Sequence, residues 1–222
     1  MNPLGREPLR AGRVAQTARS LRRSIGGQLR DLRSFSARLA VLLALLTSTL
    51  ALVAHAEPAT APFPVQAQIL ARILPYDRGF AARVKGDVVV LLLQKANDSE
   101  SSNAVQQMGR ALNDIGEVRK AKIRVHTLEY TSAAALAAAC ASQGVHVLYV
   151  APGFRGQVAA IARALVGSGI LSVAAVEPYV QEGAVLGVDI VSGKPRMSIH
   201  LAQSRAQKID FPAAVLNLAK VY

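Results

Sequence analysis

The sequence predicts one α/β domain: a mostly parallel sheet with flanking helices, ending in an antiparallel β-hairpin and terminal helices. Three observations predict it. Short apolar runs rich in β-branched residues alternate with segments whose apolar residues recur every three to four positions. The runs are apolar on both sides, as strands buried on both faces of a parallel sheet must be. Two alternating runs, residues 184–191 and 194–201, flank the pair Ser192-Gly193, and a short turn pair between such runs reads as a hairpin.

The elements follow in order. Residues 57–64 hold three prolines and read as a short flexible lead-in. Residues 65–74 are expected to be helical, with Val65, Ile69 and Ile73 on one side and Pro75 ending the helix. Residues 87–93 form the first strand, and the polar loop 94–102 follows. Val105, Met108, Leu112 and Ile115 recur at helical spacing until Gly116 stops them. Residues 122–129 form the second strand. Thr131 or Ser132 caps an alanine-rich helix that runs to about Ser142. Residues 145–150 form the third strand, and Pro152-Gly153 turns the chain. Phe154, Val158, Ile161 and Leu165 mark a further helix, ended by Gly167 and Gly169. Residues 170–176 form the fourth strand. Strands alternating with helices in this way build right-handed βαβ units.

In the hairpin, a two-residue loop sets Asp189 opposite Arg196, Val188 opposite Met197 and Leu186 opposite Ile199. One face then carries Leu186, Val188, Ile190, Met197 and Ile199. The other carries Asp189, Lys194, Arg196, Ser198 and His200. A three-residue loop with a bulge is the competing register, and a one-residue slip would exchange the faces. Two helical segments follow, with Asp210 placed to cap the last and Pro212 in its first turn.

Charge is unevenly placed along the 222 residues. The formal net charge is +12, yet nine of the 26 basic residues are arginines before Leu39. From Glu57 onward there are 17 basic and 12 acidic residues, so the strong basicity describes the leader. Residues 39–53 are fifteen residues without a charge, followed by Ala54-His55-Ala56. A basic start, a short apolar run and an A-x-A end make a secretory signal cleaved after Ala56. A membrane-spanning helix needs roughly 20 apolar residues, so a retained inner-membrane anchor is the alternative. Residues 1–56 are thus a leader and residues 57–222 the domain. Export to the periplasm removes nucleic acid, ATP and cytosolic cofactors from consideration.

Chemistry is sparsely advertised. His126 and His146 sit in expected strands, and neither has metal-ligand spacing. Cys140 is the only cysteine, lies on the alanine-rich helix and reads as a buried thiol. No nucleotide fingerprint, G-x-S-x-G motif or acid–base pair stands out, so neither an enzyme nor a cofactor is expected. Two places remain. Gly153 and Arg155 follow a strand and open a helix, where open α/β sheets bind ligands; Glu177-Pro178 ends the next strand. The hairpin's polar row, with Asp189, Arg196 and His200, reads either as a solvated cross-strand pair worth about 0.2–1 kcal/mol or as a ligand or partner surface.

The C-terminal segment carries a resemblance. Gly193-Lys194-Pro195-Arg196-Met197-Ser198-Ile199-His200-Leu201, then Ala202, Ala206 and Asp210-Phe211, then Leu216-x-Leu218-Ala219-Lys220-Val221 resembles the ending of the YfiR-like proteins. The match is good over about forty residues and looser back to about Phe63. The chain departs from the pattern in having no Trp, with Leu74-Pro75-Tyr76-Asp77 where many members have Trp-Pro, and in lacking cysteine pairs. The resemblance implies a periplasmic regulator. The best-understood members bind the periplasmic part of an inner-membrane diguanylate cyclase and hold it inactive. It therefore implies docking onto an inner-membrane sensor, with a diguanylate cyclase as the model partner. A small-ligand receptor using the loops around Gly153 and Glu177 is the second reading, an exported enzyme the third. Self-association as a homodimer is left open.

Overall fold

The computed structural model describes residues 59–222. The expected leader, with its apolar run 39–53 and the cleavage residues Ala54 and Ala56, lies outside the described residues. Among those described, no helix is long and apolar enough to cross a membrane.

The chain opens with β1 (Ala59–Thr60), α1 (Phe63–Ile73), a 3-10 turn at Leu74–Tyr76 and α2 (Phe80–Arg83). Then come β2 (Val88–Gln94), α3 (Ser99–Ile115), β3 (Glu117–Val118), β4 (Ala121–Glu129) and α4 (Ala133–Ser142). β5 (Val147–Val150), α5 (Val158–Ala164), β6 (Leu171–Ala174) and α6 (Pro178–Gln181) follow. The chain closes with β7 (Leu186–Val191), β8 (Lys194–Ile199), α7 (Leu201–Ala206), α8 (Ala213–Leu216) and β9 (Ala219–Val221). The sheet runs β3-β4-β2-β5-β6-β7-β8-β9, and β1 pairs with β7. β4, β2, β5, β6 and β7 are mutually parallel, so the expected parallel sheet is present.

The alternation of side chains divides the core in two. Val88, Val90, Leu92, Val147 and Tyr149 face one layer with Leu70, Met108 and Leu112 of α1 and α3. Leu91, Leu93, Leu148 and Val150 face the other, with Leu136 of α4, Val158 and Ile161 of α5, and Leu165 just after it. Period-two strands between period-3.6 helices therefore build three layers, each apolar run serving both faces. The helix ends follow local chemistry. The Asp98 carboxylate accepts from the Ser101 amide at 2.9 Å. The Ser132 hydroxyl accepts from the Ala135 amide at 3.1 Å. Gly116 leaves α3 with φ +74°.

The hairpin has the two-residue loop. Asp189 faces Arg196, Val188 faces Met197 and Leu186 faces Ile199. Ser192 and Gly193 both have positive φ, 51° and 75°, the conformation that matches a turn to the twist of its strands.

Several expectations are corrected. From Ala59 the expected flexible lead-in is ordered, since β1 pairs with β7 and α1 already begins at Phe63. The buried side of α1 is Gln66, Ala67, Leu70 and Ile73, shifted from Val65 and Ile69, because Gln66 finds polar partners inside. Helix α3 starts at Ser99, within the expected loop, because Asp98 caps it. The chain ends in a strand beside the hairpin rather than in a terminal helix, because β9 pairs in parallel with β8. The last helix is one turn, with Pro212 rather than Asp210 at its N-cap position and no side-chain cap. Residues 219–221 leave it because β8 offers an unpaired edge.

Asp77 ties the two ends of the domain. It is 4% exposed, accepts from the Asp210 amide at 3.0 Å and the Gly79 amide at 3.1 Å, and pairs with Arg83. Replacing it by Ala strands two amides and a guanidinium. Asp77→Ala is expected to cost about 2–4 kcal/mol of unfolding free energy, measured by urea denaturation. A loss below about half a kcal/mol would show that the tie is dispensable.

Candidate functional site

A cleft opens at the carboxyl ends of the parallel strands. From β2 the chain crosses to β4 on one side and then returns to β5 on the other, so the loops after β2 and β5 leave in opposite directions. Open α/β sheets bind ligands at this kind of divide. The cleft has a volume of about 470 Å³ and is lined by Thr60, Glu100, Pro152, Gly153, Arg155, Val176, Glu177, Pro178, Tyr179 and Asp189. A second hollow of about 560 Å³ shares Thr60, Glu100, Pro152 and Val176 with it and extends along Phe63, Asn103 and Gln107.

The Gly153 loop is pinned from several sides. The Lys95 ammonium donates to the Gly153 carbonyl at 2.5 Å. Gly153 has φ +93°, and a Cβ there would lie 2.6 Å from Asp98 Oδ2, so both conformation and space require glycine. The Phe154 amide donates to the Tyr179 hydroxyl at 2.7 Å, and the Gly156 amide to Glu182 at 3.1 Å. The Phe154 ring meets Tyr130 edge-on at 5.4 Å. Arg155 is left exposed at the rim.

Asp189 reaches the cleft from β7. Its strand position faces Thr60 of β1, and it is 4% exposed. Among the described residues, its carboxylate has neither an ion pair nor a side-chain hydrogen bond. Burial, with the negative charge of Glu177 adding to it, pushes its carboxyl up to about 6 against the opposing Lys220 ammonium and Glu177 backbone amide. Glu177 itself is paired: the Lys220 ammonium lies 3.1 Å from it, and that ammonium also sits 4.3 Å from the centre of the Tyr222 ring.

The structure thus brings Gly153, Arg155 and Asp189 together with Glu177. It does not bring in Arg196 or His200. Arg196 is exposed and forms no ion pair with Asp189, although the two are register partners. His200 is half-buried and caps α7, its Nδ1 accepting from the Gln203 amide at 3.2 Å. The expected polar row is therefore split: Asp189 and Ser198 are buried, while Lys194 and Arg196 are exposed. His146 Nδ1 accepts from the Val89 amide at 3.1 Å, and burial lowers its pKa. Cys140 is buried, which pushes its thiol up to about 11. Among the described residues no group of three His, Cys, Asp or Glu could hold a metal ion. Thr60 and Glu100 were not singled out from sequence; the capping Asp98 after a buried strand was the signal that could have pointed to Glu100.

The Asp189 carboxyl has a testable consequence. Folded, it keeps its proton up to about pH 6, whereas an ordinary aspartate loses it near 3.8. The folded state then binds more protons between these values, so stability is lost as pH rises from about 4 to 6. Asp189→Asn should raise unfolding free energy at pH 7.5 by roughly 1–3 kcal/mol, and change little at pH 4. Thermal unfolding across that range checks it; equal effects at both pH values would contradict the burial argument.

Among curated proteins, none matches the sequence. Among solved structures, the ABC domain in complex with L-Trp from Streptococcus pneumoniae superposes with a TM-score of 0.54 at 12% identity, covering 72% of this chain and 62% of that one. A conserved domain protein from Vibrio cholerae O1 biovar El Tor superposes with a TM-score of 0.52 at 14% identity, covering 73% of this chain and 60% of that one. The chain thus spans about three fifths of the length of each. At these identities the likeness concerns the α/β fold alone. The sequence profile described as YfiR/HmsC-like matches residues 64–220, from α1 through most of β9, and by that match the chain belongs to the YfiR/HmsC-like family.

Proposed function

We propose that this chain is an exported regulatory domain that acts on an inner-membrane sensor protein by docking rather than by chemistry. A diguanylate cyclase held inactive is the partner the family points to. Family membership over residues 64–220 carries the proposal. The state of the reactive side chains supports it. His146 and His200 spend their Nδ1 atoms on backbone amides, and burial keeps the Cys140 thiol protonated. The β8-β9 edge supplies a docking face. Leu218 is 73% and Val221 44% exposed there, beside the exposed Arg196 and Lys194 of β8. Apolar anchors beside basic residues fit a mixed protein surface.

A second reading is favoured by the cleft: a small ligand held between the loops after β5 and β6. Its volume of about 470 Å³ lies within the roughly 300–1,000 Å³ of small-molecule sites.

For the regulator, deleting the gene should raise cellular cyclic di-GMP. The double variant Arg196→Glu, Leu218→Asp should reproduce that rise while the protein accumulates at its normal level. Unchanged cyclic di-GMP on deletion would sink the docking proposal.

A further inference from the structure

We infer that the strand-end cleft takes a small organic cation, its ammonium group seated against the Asp189 carboxylate. This rests on the ligand reading of the cleft.

The charges around the cleft support a cation. Three carboxylates line it, from Glu100 on α3, Glu177 before α6 and Asp189 on β7, against the single guanidinium of Arg155. Lys220 of β9 is the nearby ammonium, and it is taken up by Glu177 at 3.1 Å and by Tyr222. Arg196, opposite Asp189 on β8, is exposed and forms no ion pair with it. Asp189 is left 4% exposed, lining the cleft; the Glu177 backbone amide faces its carboxylate, but among the described ion pairs none supplies it a cation. A buried carboxylate without a counter-charge is costly even with one amide donor, and a ligand cation supplies that charge. The cation is organic rather than metallic, because no three ligating side chains converge among the described residues. Tyr179, Pro178 and Val176 give the cleft an apolar side that would cover a carbon skeleton.

Binding should depend on pH. Burial and Glu177 hold the Asp189 proton up to about 6. Above that value the carboxylate is charged and attracts the ammonium; below it the attraction fades. Arg155 and Lys220 oppose a cation at every such pH, and Glu177 and Glu100 favour it.

The test is thermal unfolding of the purified protein with putrescine, phenethylamine and choline in turn, at matched ionic strength. Succinate and calcium chloride serve as counter-probes. A ligand that binds only the folded state raises Tm in proportion to ln(1 + [L]/Kd). At pH 7.5 at least one amine should raise Tm by about 2 °C or more at 10 mM, consistent with a Kd of order 1 mM or tighter. The shift should vanish in Asp189→Asn, survive in Arg155→Ala and shrink at pH 5. The Asn variant is expected to fold at least as stably as the parent, so a lost shift is not lost folding. A shift retained in Asp189→Asn overturns the inference, as does a shift given by calcium alone. A shift from succinate alone, abolished in Arg155→Ala, also overturns it but leaves the ligand reading standing. No shift from any probe overturns the inference and counts against the cleft as a ligand site.

Discussion

The pairing between β6 and β7 lasts only two residues, Val173 with Leu186 and Ala174 with Gly187, and much of the molecule answers to that. Beyond Gly187 the same edge of β7 would stand bare, and unpaired backbone groups inside a sheet are costly. β1 fills the gap, pairing Ala59 with Ile190 and Thr60 with Asp189. The chain then turns directly into α1, whose buried Gln66 fixes its position. The Gln66 amide donates to the Ala61 carbonyl at 2.7 Å, and its carbonyl accepts from the Tyr149 hydroxyl at 3.1 Å. One side chain thus joins the lead-in to the middle of β5. The place where β6 gives way to β1 is also where the cleft lies, so the sheet's incomplete pairing shapes its wall.

The C-terminal segment is held by a matching polar device on the other side of β6. Gln207 accepts from the Ser172 amide and hydroxyl at 3.2 and 3.1 Å, and the Ser172 hydroxyl accepts from the Val185 amide at 3.0 Å. These are buried groups in a low-dielectric setting, where satisfied hydrogen bonds specify one arrangement and unsatisfied ones are penalised. Together with Asp77 they position the turn after α7, from which α8 and β9 reach the hairpin. The apolar layers supply most of the driving force; the polar ties decide where the ends go.

What was legible in the sequence follows the length of each element. The runs at Val88–Gln94 and Ala121–Glu129 are long enough for composition and periodicity to identify them. The Ser192-Gly193 pair offered the observed register, because a two-residue turn leaves no freedom in pairing; the competing three-residue bulged loop was excluded only by the structure. β1, β9 and α6 have two to four residues each, too few for any period, and they exist because neighbours offer edges or space. The site shows the same division. Gly153 and Arg155 could be marked from a local strand-turn-helix pattern. Thr60 and Glu100 enter through contacts between distant segments. Asp189 was visible as a polar residue, but alternation assigned it the same environment as Arg196. Coverage by β1 and by the 177–179 segment separates the two, and no local pattern encodes it.

Asp189 also bears on how the cleft and the outer edge relate. A carboxylate pushed up to about 6 by burial is a stability liability at neutral pH, and an amide of the same shape would avoid it. Residues that cost stability without a compensating contact cluster where a protein meets its ligands. The neighbouring Glu177 has what Asp189 lacks: its cation comes from Lys220 of β9, the strand that also exposes Val221. Glu177 is also bonded to Gln181, which in turn contacts the Tyr222 hydroxyl at 3.3 Å. The lip of the cleft and the edge strand are therefore joined by a short chain of side chains. Spatial contiguity of this kind is a precondition for coupling two surfaces and not a demonstration of it. It does locate where such coupling would have to run: through Glu177 and Lys220, whose mutual attraction a competing charge in the cleft would weaken.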